Sequence, residues 1–210
     1  GEHKGAYSMF VFEITNVLDY GKENRITVIT DNTSRKDVLP INHFLFPVYG
    51  GIYRPVTMIT TAKTNFTLTD DASSGIFIRQ QNVSKNAADI TLTAKVVTTE
   101  KVVQDLELLT EVIDKQGKVL LRQRDPLRVS PQGVTYKKQE FKLSKPQLWD
   151  GIRNPYLYAV KTKIMDQGLV VDEVVAPLGL RTIEINAGKG VFLNGKQYPM
   201  YGVCRHQDEW

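Results

Sequence analysis

The sequence has only one cysteine, Cys204, and three histidines among its 210 residues. A single cysteine cannot form an intrachain disulfide or a cysteine-based metal site. His3, His43 and His206 lie too far apart in sequence to form a metal-binding motif, and no phosphate-binding glycine loop or serine-hydrolase elbow is present. The sequence therefore predicts neither a metal site nor a cofactor in this chain.

Long apolar runs and strong charge of one sign are also absent. No run approaches the roughly 18 apolar residues of a membrane span, and no signal peptide is recognisable. The 27 basic and 23 acidic residues give a net charge of +4, and the densest basic cluster, Arg122, Arg124 and Arg128, is interrupted by Asp125. A nucleic-acid-binding protein normally concentrates positive charge on one face. We therefore expect no nucleic-acid and no membrane partner, and both a cytoplasmic and a periplasmic location are compatible with the sequence.

Alanine is scarce, whereas β-branched residues are abundant. The chain has 9 Ala against 22 Val, 14 Ile and 18 Thr. β-Branched side chains pack well on pleated sheets, and alanine is the best helix former. No segment has helical periodicity over three turns, so the sequence predicts an all-β fold.

Alternation of apolar and polar residues divides the chain at about residue 60. Extended segments are predicted over 10–14, 25–30 and 52–59, and the stretch 60–64, which has no large apolar residue, is typical of a domain boundary.

Beyond the boundary the alternation is regular. Ile90, Leu92, Ala94 and Val96 are predicted to face a core, with Asp89, Thr91, Thr93 and Lys95 facing water. Turns with glycine predict three hairpins, and this pattern of strands and turns indicates a two-sheet sandwich. The hairpins connect 107–113 with 118–121, 158–165 with 169–175, and, through Asn194-Gly195, 191–193 with 196–198.

Three groups of segments, in matching order and spacing, resemble glycoside hydrolase family two, the β-galactosidase and β-glucuronidase family. The first resembles the end of that family's sugar-binding jelly roll, the second the last strands of its immunoglobulin-like domain, and the third the start of its catalytic barrel. They are Tyr49-Gly50-Gly51-Ile52-Tyr53-Arg54-Pro55-Val56; Leu148-Trp149 with 154–158 and 179–183; and 192–196 with 202–208.

The resemblance implies an all-β chain with a partial jelly-roll β-sandwich over 1–60, an immunoglobulin-like β-sandwich over 61–185 and a short stub of a (β/α)₈ barrel over 186–210. Such a barrel needs about 250 residues, and the family's two catalytic glutamates lie further along it. We therefore expect no catalytic residue here, and no activity of this chain alone.

The resemblance also implies that the parent protein is a retaining β-galactosidase-like hydrolase acting on carbohydrate. A β-glucuronidase or a β-mannosidase is the alternative within the family. A divalent or monovalent cation near the parent's active site and a homo-oligomeric state are both compatible with it. The rival hypothesis from another class is a stand-alone carbohydrate-binding or adhesive sandwich, which predicts exposed aromatic side chains on one sheet face.

Five residues are the candidates for sugar binding. Arg205 and His206 match an Arg-His pair at the family's sugar pocket, so His206 is expected to hydrogen-bond a sugar hydroxyl, the alternative being a histidine without a ligand. Asp208 is expected to accept from a hydroxyl or brace the histidine ring, or else to be a loop residue. Asn42 and His43 lie where the family has an aspartate, and are either hydroxyl binders or part of a structural loop.

Aromatic and arginine side chains near the sandwich are assigned structural roles. Trp149, Tyr156 and Tyr158 are predicted to pack at the end of the sandwich and not to form a sugar platform. Arg54 and Arg181 are predicted to make bracing hydrogen bonds, because a planar guanidinium has several donors in fixed geometry.

Overall fold

The computed structural model describes residues 1–5, 7–39 and 50–204. These residues form two compact units, one of Gly1–Ile59 together with the described residues from Gly202, and one of Thr60–Tyr201. In the described ranges the regular structure consists of eleven β-strands and a single 3₁₀ turn at Thr15–Val17, which confirms the all-β prediction. No helix in these ranges is long and apolar enough to cross a membrane.

The first unit has no paired strand among its described residues. The strands predicted over 10–14, 25–30 and 52–59 are therefore not formed, and Phe10 and Phe12 remain 47% and 45% exposed. A strand is stable only when a neighbour takes up its N–H and C=O groups and packs on its apolar face. Local alternation in the sequence does not supply that neighbour.

The second unit is a sandwich of two antiparallel sheets. Sheet 1 is built on β3, which pairs with β6 along one edge and with β1 and β2 along the other. Sheet 2 has the order β5-β4-β7-β8. The sheet 1 strands are β1 (Thr64–Phe66), β2 (Ile76–Gln81), β3 (Ala87–Thr98) and β6 (Val134–Ser144). The sheet 2 strands are β4 (Gln104–Ile113), β5 (Val119–Val129), β7 (Tyr158–Asp166) and β8 (Leu169–Leu178).

Residues of β3 alternate between the core and the outer face as predicted. Its inward positions Ile90, Leu92, Ala94 and Val96 are at most 1% exposed. They pack against apolar side chains of both sheets, and full burial of each large aliphatic side chain contributes about 1.5–3 kcal/mol. The largest fully buried apolar residues are Phe66, Ile90, Leu92, Leu108, Leu127, Ile164 and Leu180.

A small third sheet follows the sandwich and contains the predicted Asn-Gly turn. It consists of β9 (Ile183–Asn186), β10 (Gly190–Leu193) and β11 (Lys196–Gln197) in the order β11-β10-β9. Asn194 and Gly195 have φ values of 51° and 75°, the left-handed pair that a two-residue type I′ hairpin requires. The hairpin prediction is confirmed.

Candidate functional site

The five predicted sugar-binding residues, Arg205, His206, Asp208, Asn42 and His43, all lie outside the described residues, so their roles stay predictions. The structure does describe the β9–β11 sheet, which precedes Arg205 in sequence, and shows how this sheet is held at one end of the sandwich. The contacts come from the loop 145–157, the end of β8 and the β9–β11 sheet.

Asn194 is at the centre of these contacts. Its Nδ2 donates to the Trp149 carbonyl at 2.9 Å, and its Oδ1 accepts the Thr182 N–H at 3.1 Å. Its own N–H donates to the Thr182 carbonyl at 3.0 Å, and the Trp149 N–H donates to the Leu180 carbonyl at 2.9 Å. The turn of the hairpin is therefore tied both to Thr182, directly before β9, and to the tryptophan loop.

Arg181 and Gln80 extend this connection to sheet 1. The Arg181 guanidinium lies 5.1 Å from the Trp149 ring centroid and donates to the Gly179 carbonyl at 2.8 Å. Gln80 Oε1 accepts the Arg181 N–H at 3.0 Å, and Gln80 Nε2 donates to the Gly179 carbonyl at 3.4 Å. Arg181 and Trp149 thus have the bracing and packing roles expected for them.

Tyr198 lies against Gly151 in the tryptophan loop. The Tyr198 hydroxyl accepts the Ile152 N–H at 3.2 Å, and the Arg153 guanidinium lies 5.2 Å from the Tyr198 ring centroid. Gly151 has φ +61°, and a Cβ atom there would lie 2.7 Å from Tyr198 Cζ. Only glycine satisfies both the backbone conformation and the close approach of the ring. We call the contacts of Asn194 and Tyr198 with the loop 149–152 the hairpin clamp.

Tyr156 and Tyr158 pack as predicted. Their rings meet edge to face with centroids 5.0 Å apart, and Tyr158 is 3% exposed. The Tyr158 hydroxyl accepts the Gln147 N–H at 2.6 Å, and burial raises the pKa of this phenol. Arg54, in the first unit, donates to the Tyr7 carbonyl at 3.0 Å, the bracing role expected for it.

Acidic side chains of the sandwich take part in ion pairs. Glu111, 7% exposed, lies 2.6 Å from Arg122 and 3.8 Å from Lys163. Retaining glycoside hydrolysis needs two carboxyl groups flanking one bond, roughly 5–5.5 Å apart. Two depressions on the sandwich do not meet this requirement. The one of about 350 Å³ is lined by a single carboxylate, Glu140, and the one of about 300 Å³ is lined by no carboxylate. Among the described residues no group of three His, Cys, Asp or Glu is placed to hold a metal ion.

Comparison with known proteins shows similarity along the chain. Residues 74–181 match the sequence model of the glycosyl hydrolases family 2. The chain is 35% identical over 209 residues to a β-glucuronidase of Bacteroides fragilis, covering 99% of this chain and 30% of that protein. It is 30% identical over 209 residues to a β-galactosidase of Thermoanaerobacter pseudethanolicus, covering 99% of this chain and 26% of that protein.

Solved structures of similar proteins share the fold of this chain. The crystal structure of a putative β-galactosidase from Bacteroides fragilis superposes with a TM-score of 0.94 at 48% identity, covering 99% of this chain and 31% of that one. A Bacteroides uniformis β-glucuronidase gives a TM-score of 0.75 at 28% identity, over 85% of this chain and 21% of that one. The chain spans less than a third of the length of these relatives. The family match over the sandwich shows that this chain belongs to the glycosyl hydrolases family 2.

Proposed function

We propose that this chain is the non-catalytic β-sandwich region of a retaining glycosidase that hydrolyses terminal β-glycosidic bonds. The family match over residues 74–181, in a chain that spans 30% of a similar β-glucuronidase, is the observation that carries the proposal. Asn194 and Tyr198 fix the β9–β11 sheet on the sandwich by hydrogen bonds of 2.9–3.2 Å.

In this proposal the sandwich positions residues and performs no bond cleavage. The acid and the nucleophile of a retaining mechanism are two carboxyl groups, and we assign both to residues outside this chain. Glu111 and Glu107 do not suit either role, because each is engaged by an arginine of β5. Arg205 and His206 are proposed to contact the sugar, with Asp208 beside them.

The sugar that the complete protein would release is proposed from the names of the similar proteins. We favour a β-galactosidase-like enzyme, and a β-glucuronidase is the second candidate because the 35% identical relative has that name. A β-mannosidase is the third alternative within the family. A cation near the active site of the complete protein is part of the same proposal.

The test compares this chain with a polypeptide that continues through a complete catalytic barrel of the family. Both are assayed on the p-nitrophenyl β-galactoside, β-glucuronide and β-mannoside. We expect no turnover by the 210 residues alone and turnover of one substrate by the longer polypeptide. In the longer protein, H206A is expected to lower kcat/KM, with H3A as the matched control. Turnover by the 210 residues above a buffer blank would overturn the proposal.

A further inference from the structure

The outer face of sheet 1 contains a trough that the proposed function does not use. Its floor is Thr91 and Thr93 on the central strand β3, and longer side chains stand on both sides. One wall comes from β2 and the other from β6, and the depression measures about 350 Å³. The walls are Phe77, Arg79 and Gln81 on β2 and Lys138 and Glu140 on β6.

Strand register explains the trough. Phe77, Thr93 and Lys138 form one row across the sheet, and Arg79, Thr91 and Glu140 form the next. Each row has a short threonine between two longer side chains, so the middle of the face is low. Rows on one face of a strand are about 6.7 Å apart. The trough, which continues to Gln81, is therefore long enough for a short oligosaccharide.

Beside a depression of about 300 Å³ that is lined only by residues 119–122 of β5, the outer face of sheet 2 is occupied by ion pairs. Ion pairs cross it from strand to strand: Arg122 with Glu111, Glu111 with Lys163, and Lys163 with Glu173 at 3.5 Å. Arg124 pairs with Glu107 at 2.8 Å. These four acidic and basic pairs leave their own charged groups already partnered by neighbours.

Three hydrogen-bonding side chains in the trough, Arg79, Thr91 and Thr93, have no such partners. Among the described residues, the Arg79 guanidinium and the Thr91 and Thr93 hydroxyls make no hydrogen bond or ion pair, while Glu140 pairs with Lys138. Phe77 is 42% exposed beside them. A single face thus combines an exposed aromatic ring, an unpaired planar cation and two hydroxyls.

We propose that this trough is a non-catalytic binding site for an acidic oligosaccharide, one that contains hexuronic acid residues. Arg79 would pair with a uronate carboxylate through its bidentate fork. Phe77 offers a flat apolar surface for the carbon face of a pyranose ring. Thr91 and Thr93 supply donors and acceptors for ring hydroxyls. This site does not depend on the catalytic pocket of the proposed glycosidase.

Titration of the full 210-residue chain with tetragalacturonic acid, followed by calorimetry and by NMR shifts, tests the proposal. Galactotetraose is the neutral probe. We expect saturable binding of the acidic tetrasaccharide and at least tenfold weaker binding of the neutral one. R79A is expected to weaken binding at least tenfold and F77A at least fivefold, and R79K to fall between R79A and the unmodified chain.

R124A on sheet 2 is the matched control, because it removes one arginine charge from the opposite outer face. It is expected to change affinity less than twofold. Each variant is first checked for a thermal midpoint within about 3 °C of the unmodified chain, as expected for a surface substitution. Equal weakening by R124A and R79A would show general attraction of a polyanion and overturn the proposal. Absence of saturable binding, or equal binding of the neutral probe, would overturn it as well.

Discussion

The side-chain amide of Asn194 donates to the backbone carbonyl of Trp149 at 2.9 Å, joining residues 45 positions apart in sequence. Asn194 is also the first residue of a type I′ turn, with φ 51°. Asparagine tolerates this conformation better than most residues, so one side chain serves both the turn and the clamp. The hairpin is consequently fixed on the sandwich where its chain reverses.

Replacing Asn194 by glycine separates these two roles. Glycine accepts φ 51° without strain, so N194G removes only the side-chain hydrogen bonds. We expect N194G to lower the free energy of unfolding by about 1 kcal/mol, because the partly buried Trp149 carbonyl loses its donor and the exposed Thr182 N–H loses its acceptor. Urea denaturation of the 210-residue chain measures this.

Q167G is the matched control, since Gln167 occupies the same turn position between β7 and β8, with φ 46°. Its side chain makes no hydrogen bond among the described residues, so Q167G is expected to be neutral or slightly stabilising. Equal destabilisation by N194G and Q167G would show that the clamp contributes nothing.

Substitution of Gly151 tests the part of the hairpin clamp in which Tyr198 contacts the loop 149–152. G151A is strained by φ +61° and also displaces the Tyr198 ring, whereas G117A, at φ +83°, meets no atom within 4 Å. The left-handed conformation costs roughly 1–2 kcal/mol in either variant. We expect G151A to cost at least about 1 kcal/mol more than G117A, because the ring must move out of tight packing.

A double-mutant cycle with Y198A checks the cause. The excess cost of G151A should largely disappear when Tyr198 is already alanine, since the clashing ring is gone. An excess that persists unchanged in the Y198A background would place the strain elsewhere in the loop.

Sequence patterns predicted β3 and missed β6 for a physical reason. The central inward positions of β3, such as Ile90, Leu92 and Val96, are all apolar, whereas β6 places Lys137 and Gln139 at inward-facing positions. Buried Gln139 is held by hydrogen bonds from Nε2 to the Leu108 carbonyl at 3.2 Å and to Asp125 Oδ2 at 2.8 Å. Partners on other strands cannot be inferred from local alternation.

The same limit applies to the trough and to the first unit. The alternation of Phe77, Arg79 and Gln81 was available in the sequence, but their position opposite Thr91 and Thr93 depends on strand register. Local alternation over 10–14 indicated a strand where the structure has none. Periodicity predicts which face of a strand is apolar, whereas pairing depends on residues far along the chain.

Glu111 and Glu107 allow a test of how burial changes the contribution of a glutamate–arginine ion pair to stability. Both lie on β4 and pair with an arginine of β5, but their side chains are 9% and 41% exposed. E107A is expected to cost under about 1 kcal/mol, as exposed ion pairs do. We expect E111A to cost about 1–3 kcal/mol, because it leaves charged neighbours that a buried carboxylate had satisfied. Thermal unfolding of both variants measures the difference, and a larger effect of E107A would contradict it.

Hydrogen exchange distinguishes the two units. Described residues before Thr64 have no strand ladder, and large side chains such as Met9 and Ile29 are 70% and 91% exposed. We expect their amides to exchange rapidly while β3, β4 and β7 remain protected, because exposed backbone opens at little cost. The alternative is that this unit pairs with another copy. Size-exclusion chromatography with light scattering would then show a dimer, and a monomer with full protection before residue 60 would contradict both expectations.

The raised pKa of Tyr158 predicts how the free energy of unfolding changes at alkaline pH. Burial raises the pKa of its phenol in the folded state, whereas an unfolded tyrosine titrates near about 10. A group with a raised folded pKa contributes stability that is complete below the unfolded pKa and is lost as pH rises toward the folded pKa. We therefore expect the free energy of unfolding to fall more steeply above about pH 10 in the unmodified chain than in Y158F.

At neutral pH, Y158F should cost about 1 kcal/mol, since the Gln147 N–H loses its acceptor. The difference between the two proteins should then shrink as the pH rises, because ionisation of this phenol favours the unfolded state of the unmodified chain only. Urea titrations at pH 8, 10 and 11 follow that difference, with Y136F as the control, since Tyr136 is 63% exposed. Parallel pH profiles for Y158F and the unmodified chain would contradict the assignment of this alkaline sensitivity to Tyr158.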